Sequence, residues 1–119
     1  MTIGFFDSGV GGLTVLAEAL RQLPEENYIY YADTEHVPYG IRNKDEVRRF
    51  VLQAVDFMAA QNIKALVVAC NTATSIAINN LRQKYDFPVL GMEPAVKPAV
   101  EKNGTQKGLK RVLVAATQL

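Results

Sequence analysis

Short apolar runs alternate along the chain with longer amphipathic segments. The apolar runs are rich in β-branched and aromatic residues, and the longer segments carry apolar residues three or four positions apart, which predicts strands alternating with helices. The predicted strands are Ile3–Phe6, Tyr28–Ala32, Ala65–Ala69, Pro88–Leu90 and Arg111–Ala115. The predicted helices are Leu13–Gln22, Lys44–Gln61, Ser75–Tyr85 and Ala95–Lys102. This order indicates an α/β fold, in which a mainly parallel sheet lies between helices in a three-layer αβα arrangement.

The segment Glu101–Lys110 is polar, contains two glycines and is the most linker-like part of the chain. The apolar run after it predicts a strand that no helix follows. A parallel strand buried on both faces needs a crossover connection to cover it. We therefore expect a domain boundary near this segment, and a polypeptide that continues beyond these residues.

Each of the first four predicted strands is followed by polar residues or glycines. Ligands of open parallel sheets bind outside the carboxyl ends of the strands, so these segments are expected to meet at one edge of the sheet. In chain order, the segments are Asp7–Gly12, Asp33–Thr34 with Val37–Gly40, Cys70–Thr74, and Gly91–Pro94. Together they predict a binding site at that edge.

The glycine-rich loop at Gly9–Gly12 begins like a dinucleotide-binding fingerprint, because Asp33 ends the next predicted strand. Thr14 stands where the third glycine of that fingerprint is required. A loop of this kind still presents backbone N–H groups to an anion at a helix N-terminus. For the glycines alone, we favour a tight turn that needs positive φ angles. Asp7 and Ser8, which precede them, remain candidates for the site.

Cys70 is the single cysteine of the sequence and stands where an apolar run stops. A cysteine in this position is most often a small core residue. However, Asn71, Thr72 and Thr74 open the next helix, and the N-terminus of a helix favours a thiolate. These polar side chains can cap the helix or hold a substrate carboxylate beside the sulfur. The segment therefore suits a thiolate that acts as a base or a nucleophile.

Three other residues are weaker candidates. Glu93 precedes Pro94 at a strand end, where it can favour the first turn of a helix or face the site. Tyr39 follows Pro38 as in a turn, but its phenol can also line the cleft. His36 has no second ligand residue clustered nearby, so we expect a solvated loop residue.

Composition and charge narrow the classes of function. The 119 residues include 13 basic and 12 acidic ones, a net charge of +1, and 49% are hydrophobic, as in a soluble globular domain. The charges are scattered, which gives no support for a nucleic-acid or membrane partner. There is no apolar run of membrane-spanning length and no signal-peptide pattern, so we expect a cytoplasmic protein. One cysteine is too few for an internal disulfide or a zinc cluster, and we expect no metal.

Four segments, taken together, resemble the glutamate racemases of the cofactor-independent aspartate/glutamate racemase superfamily. They are FFDSGVGGLTVL at residues 5–16, YADTEHVPYG at 31–40, VVACNTAT at 67–74 and GMEPAVKPA at 91–99. They follow the order of the family and cover nearly all of residues 3–99. The resemblance implies an isomerase that interconverts L- and D-glutamate without a cofactor and supplies D-glutamate for peptidoglycan.

The resemblance also implies roles for single residues. Cys70 would be one of two cysteines that face each other across the α-carbon of the substrate, one removing the α-proton and the other returning it. Asp7 would assist Cys70 or hold the ammonium group, and Glu93 matches a carboxylate in the cleft. The implied substrate-binding residues are Asp7, Ser8, Tyr39, Gly40, Asn71, Thr72 and Thr117.

Members of this family are much longer, and their second cysteine lies in the second half. The resemblance therefore implies an N-terminal α/β racemase domain at residues 1–98. Residues 99–119 would form a linker and the first strand of a second, similar α/β domain that is incomplete here. The site would lie between the two domains. We expect these residues alone not to racemise glutamate, and the full-length protein to be a homodimer.

Three other interpretations remain open. The first is a racemase for aspartate or for several amino acids, which would keep the thiol and change the residues around the distal carboxylate. The second is an anion- or nucleotide-binding module that uses the Gly9–Gly12 loop and leaves Cys70 inert. The third is a non-catalytic fragment.

Overall fold

The computed structural model describes residues 1–102 and 112–119. The strands are β1 (Thr2–Asp7), β2 (Asn27–Ala32), β3 (Ile63–Val68) and β4 (Val89–Gly91). The helices are α1 (Leu13–Gln22), α2 (Lys44–Ala59), α3 (Asn71–Lys84) and α4 (Val96–Lys102), with a 3-10 turn at Tyr39–Ile41. The strands form one sheet in the order β2-β1-β3-β4, and each of its three pairings is parallel. The predicted α/β fold with a mainly parallel sheet is confirmed.

Helices cover both faces of this sheet. Side chains alternate between the two faces along each strand, so apolar residues such as Phe5 and Phe6 point to opposite faces and both faces need to be covered. Phe6 belongs to the main core, which α2 and α3 close with fully buried residues such as Val51 and Leu81. Phe5 points to the opposite face and packs on Tyr28, whose hydroxyl donates to backbone carbonyls at the C-terminal end of α1. The structure thus has the predicted three layers, with α1 on one side and α2 and α3 on the other.

Two predicted helix bounds were wrong by more than one residue. Helix α3 begins at Asn71 instead of Ser75, because Cys70 has extended backbone angles and its sulfur accepts a hydrogen bond from the Ala73 N–H. Helix α2 ends at Ala59 instead of Gln61, and Asn62 then takes a left-handed φ of 60° before β3 begins. The predicted bounds of α1 are confirmed.

The last predicted strand is not formed in the described part of that segment. Arg111 lies outside the described residues, and residues 112–119 form neither a helix nor a strand. Within the described residues they have no neighbouring strand with which to form a ladder, and backbone pairing is what defines a strand. Most of the predicted linker also lies outside the described residues. The division into domains therefore stays a prediction.

Strand order explains why the candidate residues approach one another. The neighbouring strands β1 and β3 run parallel, so the residues that follow them leave the sheet at the same edge. The Ala69 N–H donates to the Phe6 carbonyl at 2.8 Å and extends this pairing to the last residue before Cys70. The Asp7 and Cys70 segments consequently lie side by side.

Candidate active site

Cys70 is the N-cap residue of α3. Its sulfur accepts the Ala73 N–H at 3.4 Å, and its carbonyl accepts the Thr74 N–H at 2.9 Å. The side chain is 6% exposed, and the thiol donates to the Ser8 Oγ at 3.6 Å. The first backbone N–H groups of a helix carry partial positive charge, which stabilises negative charge beside them. The sulfur is thus held where a negative charge is stabilised.

Asp7 ends β1 and is buried beneath the glycine loop. Its Oδ2 accepts the Gly12 N–H at 3.0 Å and the Gly9 N–H at 3.3 Å. These amides are the ones that the sequence offered to an external anion. Because the Asp7 carboxylate already occupies them, the loop is poorly suited to cradle a phosphate, which argues against the nucleotide-binding interpretation.

A groove of about 530 Å³ runs between the two segments, a volume that suits a small ligand. Five predicted site residues are among those that line it, namely Asp7, Ser8, Cys70, Asn71 and Thr72. The structure thus brings together most of the residues that the sequence singled out. Carboxylate, hydroxyl, amide and thiol groups lie around one opening.

Thr117 lies against Thr72, which lines this groove, and close to Gly40. The hydroxyl oxygens of Thr117 and Thr72 are 3.2 Å apart, within hydrogen-bonding distance. A Cβ atom added to Gly40 would lie 3.2 Å from the Thr117 Cγ2, so the backbone at Gly40 approaches that side chain closely. Thr117 also lines a second groove of about 470 Å³ together with Asn71 and Ser75. The segment at residues 112–119 thus borders the predicted site.

The Tyr39 phenol does not line the Cys70 groove. Tyr39 is 4% exposed, and its hydroxyl donates to Asp33 Oδ2 at 2.5 Å. Burial, followed by the adjacent Asp33 carboxylate, raises the pKa of Tyr39. The Tyr39 hydroxyl is therefore already bound inside the protein. Neither Tyr39 nor Gly40 is among the residues that line the Cys70 groove, and their role at the site stays a prediction.

His36 is not the solvated residue that we expected. Its Nδ1 lies 2.7 Å from Asp33 Oδ1, and its ring stacks on Phe50 with centroids 3.8 Å apart. The side chain is 31% exposed. The prediction was wrong because it considered only a metal-binding role for His36 and overlooked a hydrogen bond to the buried Asp33 carboxylate three positions earlier.

Glu93 lies beside the Cys70 groove and not in it. It is exposed and lines a third groove of about 660 Å³ with Arg82 and Lys97. Asn71 and Met92 line both grooves, so the two openings are neighbours. Residues 1–102 and 112–119 contain no group of side chains that could hold a metal ion. Across the same residues, every helix is too short or too polar to cross a membrane.

Residues 7–118 match the model of the family described as Asp/Glu/Hydantoin racemase. The chain belongs to this family. Its members include racemases for acidic amino acids, which is consistent with a groove lined by donors and a thiol.

Individual racemases resemble the chain over much of its length. Glutamate racemase 2 of Bacillus subtilis (strain 168) is 60% identical over 119 residues, which are all of this chain and 44% of that protein. A glutamate racemase of Halothermothrix orenii is 63% identical over 119 residues, 46% of that protein. The chain thus spans less than half the length of these relatives.

Solved glutamate racemase structures share the fold. That of Aquifex pyrophilus has a TM-score of 0.79 at 45% identity, and the match covers 86% of this chain and 41% of that chain. That of Escherichia coli, solved with L-glutamate and the activator UDP-MurNAc-ala, has a TM-score of 0.80 at 40% identity. This second match covers 84% of this chain and 38% of that chain.

In the glycine loop of this racemase-family chain, packing explains Gly12, and backbone angle explains none of the glycines. Within residues 1–102, no glycine has a positive φ, so the expected reason was wrong. A Cβ atom on Gly12 would lie 2.8 Å from the Ala69 Cβ and 3.0 Å from the Asp7 Cβ. A Cβ atom on Gly9 would meet nothing within 4 Å.

Replacing Gly12 by alanine is expected to lower the free energy of unfolding by about 1–3 kcal/mol, because the added methyl group would collide with the Cβ atoms of Ala69 and Asp7. Gly9→Ala is the matched control in the same loop and is expected to change that free energy by less than about 0.5 kcal/mol. Urea unfolding of both variants measures the difference. Equal losses would contradict the packing explanation.

Tyr30 was not among the predicted site residues. Its hydroxyl donates to the Gly9 carbonyl at 2.9 Å and lies 3.4 Å from Asp7 Oδ2. The sequence offered Tyr30 only as a strand residue, and its role depends on the register of β2 against β1, in which Tyr30 pairs with Phe5. Only the alternation of Tyr28 and Tyr30 on one face of that strand gave a signal.

Proposed function

We propose that this chain is the N-terminal part of a glutamate racemase, which interconverts L- and D-glutamate by removing and returning the α-proton. The observation that carries the proposal is the position of Cys70 at the N-terminus of α3, in one groove with Asp7 and Ser8. The family match and the relatives named glutamate racemases support it. No cofactor is part of the proposal.

The chemistry requires more than a base, since the α-hydrogen of an amino acid is a very weak acid. Cys70, as a thiolate, would take the proton from one face of the α-carbon. Negative charge then builds towards the substrate carboxylate. Donors from Ser8, Asn71 and Thr72, with the N-terminal end of α3, would stabilise that charge. Without pyridoxal phosphate as an electron sink, the protein itself must supply this stabilisation.

Carboxylates and hydroxyls around the groove complete the proposed site. Asp7 would hold the ammonium group or assist Cys70. Glu93 would act as a further carboxylate from the neighbouring groove. It would approach the substrate past Asn71 and Met92, which line both grooves. Thr117 would contact the substrate from the side of Gly40, since it lies against both Gly40 and Thr72.

Inversion needs a second base on the opposite face of the α-carbon. Cys70 is the one cysteine of this sequence, and a thiol on one face cannot return the proton to the other. We therefore propose that the second cysteine belongs to the remainder of a longer protein. The chain matches only 44% of the Bacillus subtilis relative, which leaves room for it there. In that protein, residues 1–98 would form the first α/β domain and residues 99–119 the linker and the start of a second. We propose a cytoplasmic homodimer that supplies D-glutamate for peptidoglycan.

Activity is expected in the longer protein and not in the 119 residues alone. Both proteins would be incubated with L-glutamate and with D-glutamate, and the loss of optical activity would be followed by circular dichroism. L-Aspartate serves as the comparison substrate, because preference for aspartate would indicate the related racemase instead. Turnover by the short chain would contradict the two-base proposal. Absence of turnover by the longer protein with either amino acid would contradict the function itself.

A further inference from the structure

Tyr30 links the two parts of the loop that carries the proposed site. Its hydroxyl donates to the Gly9 carbonyl at 2.9 Å and lies 3.4 Å from Asp7 Oδ2. The same carboxylate oxygen accepts the Gly9 and Gly12 N–H groups. One tyrosine hydroxyl therefore contacts both the carboxylate and the backbone on either side of Ser8.

The Tyr30 hydroxyl is restrained and remains a donor. Burial, followed by the negative charge of Asp7, raises the pKa of Tyr30 to about 12, so the phenol stays protonated at physiological pH. A Cβ atom on Gly12 would lie 3.0 Å from the hydroxyl oxygen, so the loop closes over it with little spare space.

We infer that Tyr30 is a positioning residue for the proposed proton transfer, and that its hydroxyl holds the Asp7 carboxylate and the Ser8–Gly9 backbone against Cys70. The inference rests on the proposed function. Tyr30 is not among the residues that line the Cys70 groove, so it would act through its neighbours and not on the substrate. Ser8 lies between the two groups that Tyr30 contacts, and its hydroxyl is 3.6 Å from the Cys70 sulfur. Loss of the Tyr30 hydroxyl would therefore loosen the loop around both Asp7 and Ser8, while the Gly9 and Gly12 N–H groups would still bind the Asp7 carboxylate.

Tyr28 provides a matched control. It lies two residues earlier on β2 and on the same face of the sheet, and its hydroxyl donates to the carbonyls of Ala19 and Leu23. Tyr28→Phe removes a comparable hydroxyl at the far end of α1, away from the groove. Both substitutions keep the aromatic ring, so they differ mainly in which contact is lost.

The first test uses the full-length protein and measures racemisation in both directions with protonated and α-deuterated glutamate. Tyr30→Phe is expected to lower kcat/KM by about tenfold, the effect of losing a hydrogen bond near a charged group. The primary isotope effect is expected to rise for one enantiomer only, the one whose α-proton faces Cys70, because that proton transfer becomes slower relative to the other steps. Lower stability alone would reduce the amount of active protein and leave both isotope effects and KM unchanged. Unchanged isotope effects, or the same change in Tyr28→Phe, would overturn the inference.

The second test does not depend on catalysis. Alkylation of Cys70 by iodoacetamide is followed by mass spectrometry of the peptide that carries it, without substrate. Tyr30→Phe is expected to alkylate about threefold faster than the parent protein, because the loop beside the buried thiol is held by one hydrogen bond fewer. A rate equal to that of Tyr28→Phe would overturn the inference. If the parent protein fails to racemise glutamate but this difference appears, the proposed function fails, and Tyr30 is left with a structural role in holding the loop beside Cys70.

Discussion

Replacing Cys70 by serine in the full-length protein is expected to lower kcat for glutamate racemisation by about 10³-fold in both directions, the contribution of a positioned general base. A serine hydroxyl ionises too weakly to take up the role of a thiolate. Serine is, however, among the preferred N-cap residues, so α3 keeps its first hydrogen bond. The substitution therefore removes the base while the fold is preserved.

Kinetics and stability together test this expectation. Racemisation would be followed by circular dichroism of glutamate, and thermal unfolding of each variant would be recorded. Asn80→Ala is the control, since Asn80 is an exposed residue of the same helix that lines none of the three grooves. Both variants are expected to unfold near the parent temperature, and only Cys70→Ser is expected to lose activity. A Cys70→Ser protein with most of its activity would rule out the thiol as a base.

The second large effect is expected at Asp7. Asp7→Asn in the full-length protein should lower kcat by about 10²-fold, because an amide can neither accept a proton from the thiol nor balance an ammonium group. The amide oxygen can still accept the N–H groups of Gly9 and Gly12, so the loop is expected to keep its shape. Asp7→Ala leaves those N–H groups without an acceptor and should also lower the free energy of unfolding by about 1–3 kcal/mol.

The variants Asp7→Asn and Asp7→Ala together distinguish the effect of the Asp7 charge on activity from its effect on the structure of the loop. Activity is expected to fall in both variants, and stability only in Asp7→Ala. Asp56→Asn is the surface control. Asp56 is exposed on α2 and contacts Lys84 and Tyr85 at the C-terminal end of α3, whereas the groove lies at the N-terminal end of that helix. An Asp7→Asn protein with normal kcat would show that the carboxylate has only a structural role.

Much of the candidate site was predictable because it follows directly from strand ends. Asp7 and Ser8 are bonded to the end of β1, and Cys70 and Asn71 follow β3. Once the strands are taken as parallel neighbours, these residues must share an edge of the sheet, whatever the details of packing. The helical position of the thiol followed in the same way from the polar residues after it, although the start of α3 was misplaced.

The partners of the aromatic and histidine side chains were not predictable in this way. Tyr39 and His36 both turn towards Asp33, which leaves the Tyr39 phenol outside the groove. Tyr30 reaches Asp7 across 23 positions of sequence. Local patterns do not encode such distances.

The amino-acid sequence by itself determined the parallel α/β fold and the grouping of Asp7, Ser8, Cys70, Asn71 and Thr72, because side-chain periodicity and covalent connection to strand ends are local properties. Only the tertiary structure decided that the Asp7 carboxylate accepts the N–H groups of the glycine loop. It also decided that there is no room for a side chain at Gly12, which packs against Ala69, and that the Tyr30 hydroxyl donates to the Gly9 carbonyl of that loop. These features depend on strand register and on how closely separate elements pack, which are set by the whole fold.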